Sequence, residues 1–301
     1  MRVKDTDKNA HRLNRERILI IGCGDVGMRV LPLLRERFRV FAVTSQASRC
    51  DELRAAGAVP IVADLDQPAS MARLARLAHY IVHLAPPRSD GLKDTRTRNL
   101  TAILPDRATL VYVSTTGVYG DCGGALVEES RPVNPQNARA KRRVDAENAL
   151  RRWARRSGSR LAILRVPGIY ASNRLPIERL RQGTPALHTE DDVYTNHIHA
   201  DDLAAIIVAA LFRARSCRVY HAVDDTQLKM GDYFDAVADA FRLPRPRRLP
   251  RAELQQAVSP VVLSFMSESR KLGNRRIKAE LGVRLRHAQV GDALAQMCKD
   301  S

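Results

Sequence analysis

Residues 22–27 read Gly22-Cys23-Gly24-Asp25-Val26-Gly27, three glycines at the spacing G-x-G-x-x-G. Where a strand runs into a helix, that spacing serves a dinucleotide. The first glycine permits a tight turn, the second lets a pyrophosphate approach the backbone, and the third lets the helix pack closely. The phosphates then face free N–H groups at a helix N-terminus. An apolar run at 18–21 precedes the loop and a helical pattern follows it. The loop is therefore expected to hold a dinucleotide through Gly22, Gly24, Asp25, Val26 and Gly27.

The second strand of such a site usually ends in an acid that holds the adenosine ribose. Here it ends Val43-Thr44-Ser45, and Arg49 follows. Thr44, Ser45 and Arg49 suit a 2′-phosphate, so NADP is preferred to NAD. Asp64 and Leu65, after the third strand, are placed to meet the adenine, although Asp64 equally suits a turn or helix cap. Leu84 and Ala85 follow the fourth strand and are expected beside the cofactor.

The elements that must position these residues follow from hydrophobic periodicity. Short apolar runs at 18–21, 39–43, 59–62, 80–84, 110–114 and 161–165 alternate with helical stretches at 26–35, 49–56 and 70–77. That alternation predicts an α/β fold of Rossmann type, a doubly wound parallel sheet with helices on both faces. Beyond residue 165 the alternation weakens, with helices expected at 201–213, 231–241 and 275–281. The reading is a basic, mobile tail at 1–17, a dinucleotide-binding domain at 18–165, and a smaller substrate-binding domain at 166–301 interleaved with the last sheet strands. Pro244, Pro246 and Pro250 divide an Arg-rich stretch that one helix cannot span.

The fifth strand reads Val111-Tyr112-Val113-Ser114-Thr115-Thr116-Gly117-Val118-Tyr119-Gly120, and further on come Arg165-Val166-Pro167-Gly168-Ile169-Tyr170, His197-Ile198-His199-Ala200-Asp201-Asp202 and Ile277-Lys278-Ala279-Glu280-Leu281-Gly282. With the glycine loop, these ordered segments resemble the extended short-chain dehydrogenase/reductase superfamily of nucleotide-sugar epimerases and dehydratases. The resemblance spans about residues 18–285 and implies a Ser or Thr, a Tyr and a Lys as the chemical groups. Thr115 matches the first. The Tyr-x-x-x-Lys pair is missing, because the segment after Pro135 reads Gln136-Asn137-Ala138-Arg139-Ala140-Lys141-Arg142-Arg143.

One register sets Asn137 and Lys141 at the pair. The other sets Arg139 and Arg143 there, and it is preferred because it also aligns Glu147 with a family glutamate. Arginine cannot shuttle a proton near neutral pH. Arg143 is therefore expected to bond the nicotinamide ribose and Arg139 to clamp a substrate phosphate or carboxylate. Tyr119, His83, Tyr170, His197 and His199 are the other candidates for the proton, with Tyr119 put forward as catalytic beside Thr115 and Arg139. The helix at 138–156 carries eight basic residues, and its Ala146, Ala149, Leu150 and Trp153 should face the sheet. Repulsion between two such helices leaves a monomer as well as a homodimer open.

In the whole chain of 301 residues, 45% are hydrophobic and 28% charged, as a packed protein requires. No apolar run is long enough to span a bilayer. The net charge of +17 raises the question of nucleic acid. Only eight of the 50 basic residues are lysines, the arginines are dispersed, and aromatics are 5%, so no nucleic-acid partner is expected. Five unclustered cysteines point to a reducing cytoplasm and to no metal. The functional reading is an NAD(P)-binding oxidoreductase or epimerase-like protein for a small polar substrate, a nucleotide sugar among the possibilities. The alternative is a non-catalytic NADP-binding sensor.

Overall fold

The computed structural model describes residues 15–299. The tail expected at 1–17 lies outside these apart from Arg15, Glu16 and Arg17, and Arg17 already opens the first strand. Seven parallel strands form the central sheet: β1 (Arg17–Ile21), β2 (Arg39–Thr44), β3 (Val59–Val62), β4 (Tyr80–His83), β5 (Thr109–Thr115), β6 (Arg160–Val166) and β7 (Arg218–His221). Their spatial order is β7-β6-β5-β4-β1-β2-β3. The direction of winding reverses between β1 and β4. The crevice beyond the carboxyl ends of the strands at that reversal is where doubly wound sheets bind ligands.

Alternation along each strand sorts the core into two faces. Ile18 and Ile20 of β1 pack with Val30, Leu31, Leu203, Ile207 and Ile277. These come from the helices α1 (Asp25–Leu34), α5 (Ala200–Arg213) and α7 (Arg275–Leu281). Leu19 and Ile21 pack on the other face with Leu100, Ala146, Leu150 and Trp153, from α3 (Thr95–Thr101) and α4 (Ala138–Ser157). The expected inward stripe of α4 is thus buried, with Trp153 2% exposed. Full burial of a side chain the size of Leu150 contributes roughly 1.5–3 kcal/mol. A third core, around Tyr233, Phe234, Val237, Leu254 and Leu294, fills the remaining lobe, built mainly from α6 (Met230–Ala240), α8 (Val290–Lys299) and short helices.

Two helix expectations are corrected. The helix at 70–77 is a 3-10 helix, Pro68–Leu74; its opening proline suits a tight turn, and only Met71 and Leu74 are buried. The helix at 49–56 is α2 (Cys50–Ala55), entered through the 3-10 turn Ala47–Arg49. Beyond β6 the chain rejoins the sheet: β7 extends it beside β6, and α5 and α7 cover one of its faces. The chain leaves the sheet for the second lobe and returns to it twice.

Candidate functional site

At the reversal point lies a cleft of about 470 Å³. Gly22, with φ +84°, takes a conformation side chains rarely adopt, and a Cβ there would stand 2.6 Å from the Ala85 backbone nitrogen. Gly27 packs its helix down, since a Cβ would come 2.9 Å from the Cys23 sulfur and 3.4 Å from Leu84. Gly24 is different: nothing lies within 4 Å of its Cβ position. It precedes α1 as the N-cap residue, so the space beside it is open cleft facing free helical N–H groups. These features fit a pyrophosphate. Burial pushes the Cys23 thiol up to about 11, which keeps it uncharged there.

Every cofactor residue expected from sequence lines this cleft: Gly22, Gly24, Asp25, Val26, Gly27, Thr44, Ser45, Arg49, Asp64, Leu65, Leu84, Ala85 and Arg143. Arg49 is held on two sides, donating to the Cys23 carbonyl at 2.6 Å and to both oxygens of Glu52. Thr44 Oγ1 accepts from the Gln46 amide. Asp64 Oδ1 accepts from the Asp66 amide at 2.9 Å, so its carboxylate also shapes a turn.

A second cavity, of about 610 Å³, adjoins the first. Val113, Arg143, Ile169 and Arg174 line both. Asn137 caps α4 by accepting from the Ala140 amide at 2.9 Å, which turns Arg139 and Arg143 toward the cavities. Lys141 is exposed and lines neither. Arg143 donates to the Tyr112 hydroxyl and to the Val113 carbonyl, both at 3.0 Å. Thr115 lines the second cavity at the carboxyl end of β5, its Oγ1 accepting from the Gly117 amide at 3.3 Å.

The cavity is cationic. Arg139, Arg143, Arg174, Arg179 and Arg270 line it, and Glu268 is the one carboxylate among its described lining residues. Glu268 pairs with Arg270 at 2.8 Å and accepts from Asn137 Nδ2 at 3.2 Å. Burial holds the guanidinium pKa of Arg139 and of Arg179 below the usual range. Arg179 makes no ion pair with the described residues and stacks over Phe234 at 4.5 Å. A desolvated guanidinium without a carboxylate suits an anionic ligand.

The proton candidates part company here. Tyr119 is corrected: it is 1% exposed and outside both cavities. Its hydroxyl is bonded to Arg165 at 2.7 Å and to His221 at 2.6 Å, and burial pushes its pKa up. His83 is likewise buried, bonded to Thr97 at 2.9 Å, and held down to about 3 by burial and by Arg143. His199 caps α5 and lines neither cavity. Tyr170 and His197 do line the second cavity. His197 stacks on Tyr233 with ring centroids 4.1 Å apart, and burial lowers it to about 4. Burial raises Tyr170, with Asp224 adding to the effect.

Sequence reading missed Glu268, Arg174, Arg179 and Arg270. No spacing signals them, because they reach the cavity from separate loops and short helices of the second lobe. A Cβ built on Gly117 would stand 3.6 Å from Thr115 Oγ1 and 3.9 Å from Glu268 Oε2, so the two oxygens flank one spot.

The family described as RmlD substrate binding domain matches residues 16–300. No curated protein matches significantly. Among solved structures, a functionally unknown conserved protein from Silicibacter pomeroyi is 26% identical, with a TM-score of 0.78 over 95% of this chain and 99% of that one. A UDP-glucose 4-epimerase from Thermotoga maritima, solved with UDP-glucose, is 17% identical (TM-score 0.76, 94% and 97% covered). A dTDP-glucose 4,6-dehydratase from Streptomyces venezuelae, solved with NAD bound, is 20% identical (TM-score 0.75, 94% and 96% covered).

Proposed function

The chain belongs to the RmlD substrate binding domain family, within the extended short-chain dehydrogenase/reductase superfamily, and from that premise we propose an NAD(P)-dependent oxidoreductase or epimerase for a small anionic substrate, with nucleotide sugars the favoured class. The observation that carries this reading is the shared wall of Val113, Arg143, Ile169 and Arg174, across which a dinucleotide cleft meets an arginine-rich cavity. The similar proteins solved with NAD or a UDP-sugar support it.

NADP is preferred because Thr44, which ends β2, lines the cleft together with Ser45 and Arg49. When bound, the nicotinamide accepts or donates hydride. On the protein side, Arg143 bonds the ribose, Arg139 and Arg179 hold the substrate anion, and Thr115 orients its hydroxyl. Glu268 takes the place proposed from sequence for Tyr119: its carboxylate accepts the proton as the substrate carbon gives up hydride. A sensor remains the second reading, favoured by the arginine at position 139 where the superfamily resemblance implies tyrosine.

The test is a turnover screen over UDP- and dTDP-sugars followed by nicotinamide absorbance and product analysis, run beside cofactor calorimetry. Turnover is expected, and Glu268→Gln should lower kcat by roughly 10²–10⁴-fold with cofactor affinity unchanged. Cofactor binding without any turnover would favour the sensor.

A further inference from the structure

Outside both cavities, His199, Asp201 and His287 bring their ligand atoms within 4.8 Å of one another. His199 ends a short strand, His197–His199, and Asp201 lies in the first turn of α5. His287 arrives from the segment after α7, 86 positions beyond Asp201 in a 301-residue chain. Its ring lies against that of His199, with centroids 3.8 Å apart and planes 36° apart. We propose that His199, Asp201 and His287 form a binding site for a divalent transition metal, zinc or a cation of similar chemistry.

The scaffold around the triad is fixed from behind. Asp202, 2% exposed, accepts the amide N–H of Arg286 and of His287, both at 2.8 Å, and so pins the second imidazole beside the first. Asp201 divides its carboxylate: Oδ1 accepts from Arg29, while Oδ2 faces His199 Nδ1 at 3.8 Å. Arg29, also paired with Asp25 at 3.4 Å, orients the ligand carboxylate, the kind of outer contact that supports metal ligands. Two carboxylates, Asp201 and Asp202, outweigh that single guanidinium.

Metal–nitrogen and metal–oxygen bonds of about 2.0–2.2 Å set tetrahedral ligand atoms about 3.3 Å apart. Closure therefore needs shifts of about an ångström or more: the two stacked imidazoles must splay, and Asp201 Oδ2, now 3.8 Å from His199 Nδ1, must close in while Oδ1 keeps its Arg29 partner. Binding at His199 Nδ1 would exchange its weak bond from the Asp201 amide, 3.2 Å long, for a metal bond. Two imidazoles and a carboxylate suit zinc, cobalt or nickel and leave a fourth position to water. The site would clip the segment after α7 to the start of α5.

The full chain, stripped with chelator, is titrated with ZnCl2 by calorimetry and with CoCl2 by absorption. One saturable equivalent is expected, with a raised melting temperature and a cobalt spectrum lacking a thiolate charge-transfer band, which separates the site from the free cysteines. His287→Ala and Asp201→Asn, both away from the buried core, should each weaken binding roughly tenfold or more. No saturable uptake at millimolar metal, or equal affinity in folded His287→Ala, would overturn the site.

Discussion

The proposed preference for NADP rests largely on one side chain, Arg49. Its guanidinium is shared between Glu52 and the Cys23 carbonyl, which fixes it at the edge of the cleft beside Thr44 and Ser45. Arg49→Glu should cost NADP roughly 1.5–3 kcal/mol, the worth of a charge-assisted bond, and NAD far less. Equal losses in calorimetric Kd for the two would show that Arg49 reads nothing on the ribose. Arg143 and Lys141 test the register on α4. Arg143→Ala should weaken cofactor by a similar amount while Lys141→Ala and Arg139→Ala leave it nearly unchanged; a defect in Lys141→Ala alone would reverse the assignment. Because Arg143 also donates to the buried Tyr112 hydroxyl, melting curves must accompany the affinities.

Between residue and molecule, the elements were legible to the degree that their signal is local. The G-x-G-x-x-G loop fixes a strand, a turn and a helix within a dozen residues, and every cofactor position expected from it lines the cleft. Since Gly24 faces open space, Gly24→Val should fold normally and lose measurable cofactor binding; retained affinity would remove the pyrophosphate from this turn. Glu268 was invisible because the role proposed for it depends on meeting Thr115 across more than 150 positions of chain. Tyr119 misled for the converse reason: its motif is local, but its direction is set by buried partners, Arg165 and His221. Arg165 in turn bonds both oxygens of Glu147, which also accepts from Ser114. That network docks α4 onto β5 and β6, so Glu147→Leu should destabilise by roughly 3–5 kcal/mol by stranding a buried guanidinium. A change below about 1 kcal/mol in denaturant unfolding would contradict the docking role.

Across the whole molecule, burial of titratable groups ties stability to pH. His83 and His221 are lowered to about 3, and His197 and His199 to about 4, in each case chiefly by desolvation. Their ordinary value is 6.5, so below it the unfolded chain takes up protons that the folded chain refuses. Each imidazole therefore contributes stability that is complete above pH 6.5 and is lost as pH falls toward its folded value. Asp224 runs the other way. Burial raises it from 3.8 to about 7, so its contribution is complete below 3.8 and is lost as pH rises through 7. Glu129 and Asp192, also raised by burial, act in the same direction. Four large imidazole shifts outweigh one large and two smaller carboxyl shifts between pH 6.5 and 4. Denaturant midpoints should accordingly fall from pH 7 to pH 5, and a flat or rising profile would refute the balance. Asp224→Asn keeps an acceptor for the Thr226 amide, which Asp224 Oδ1 now bonds at 2.9 Å, and removes the main opposing titration. Its midpoints should fall more steeply than those of the parent chain over the same interval.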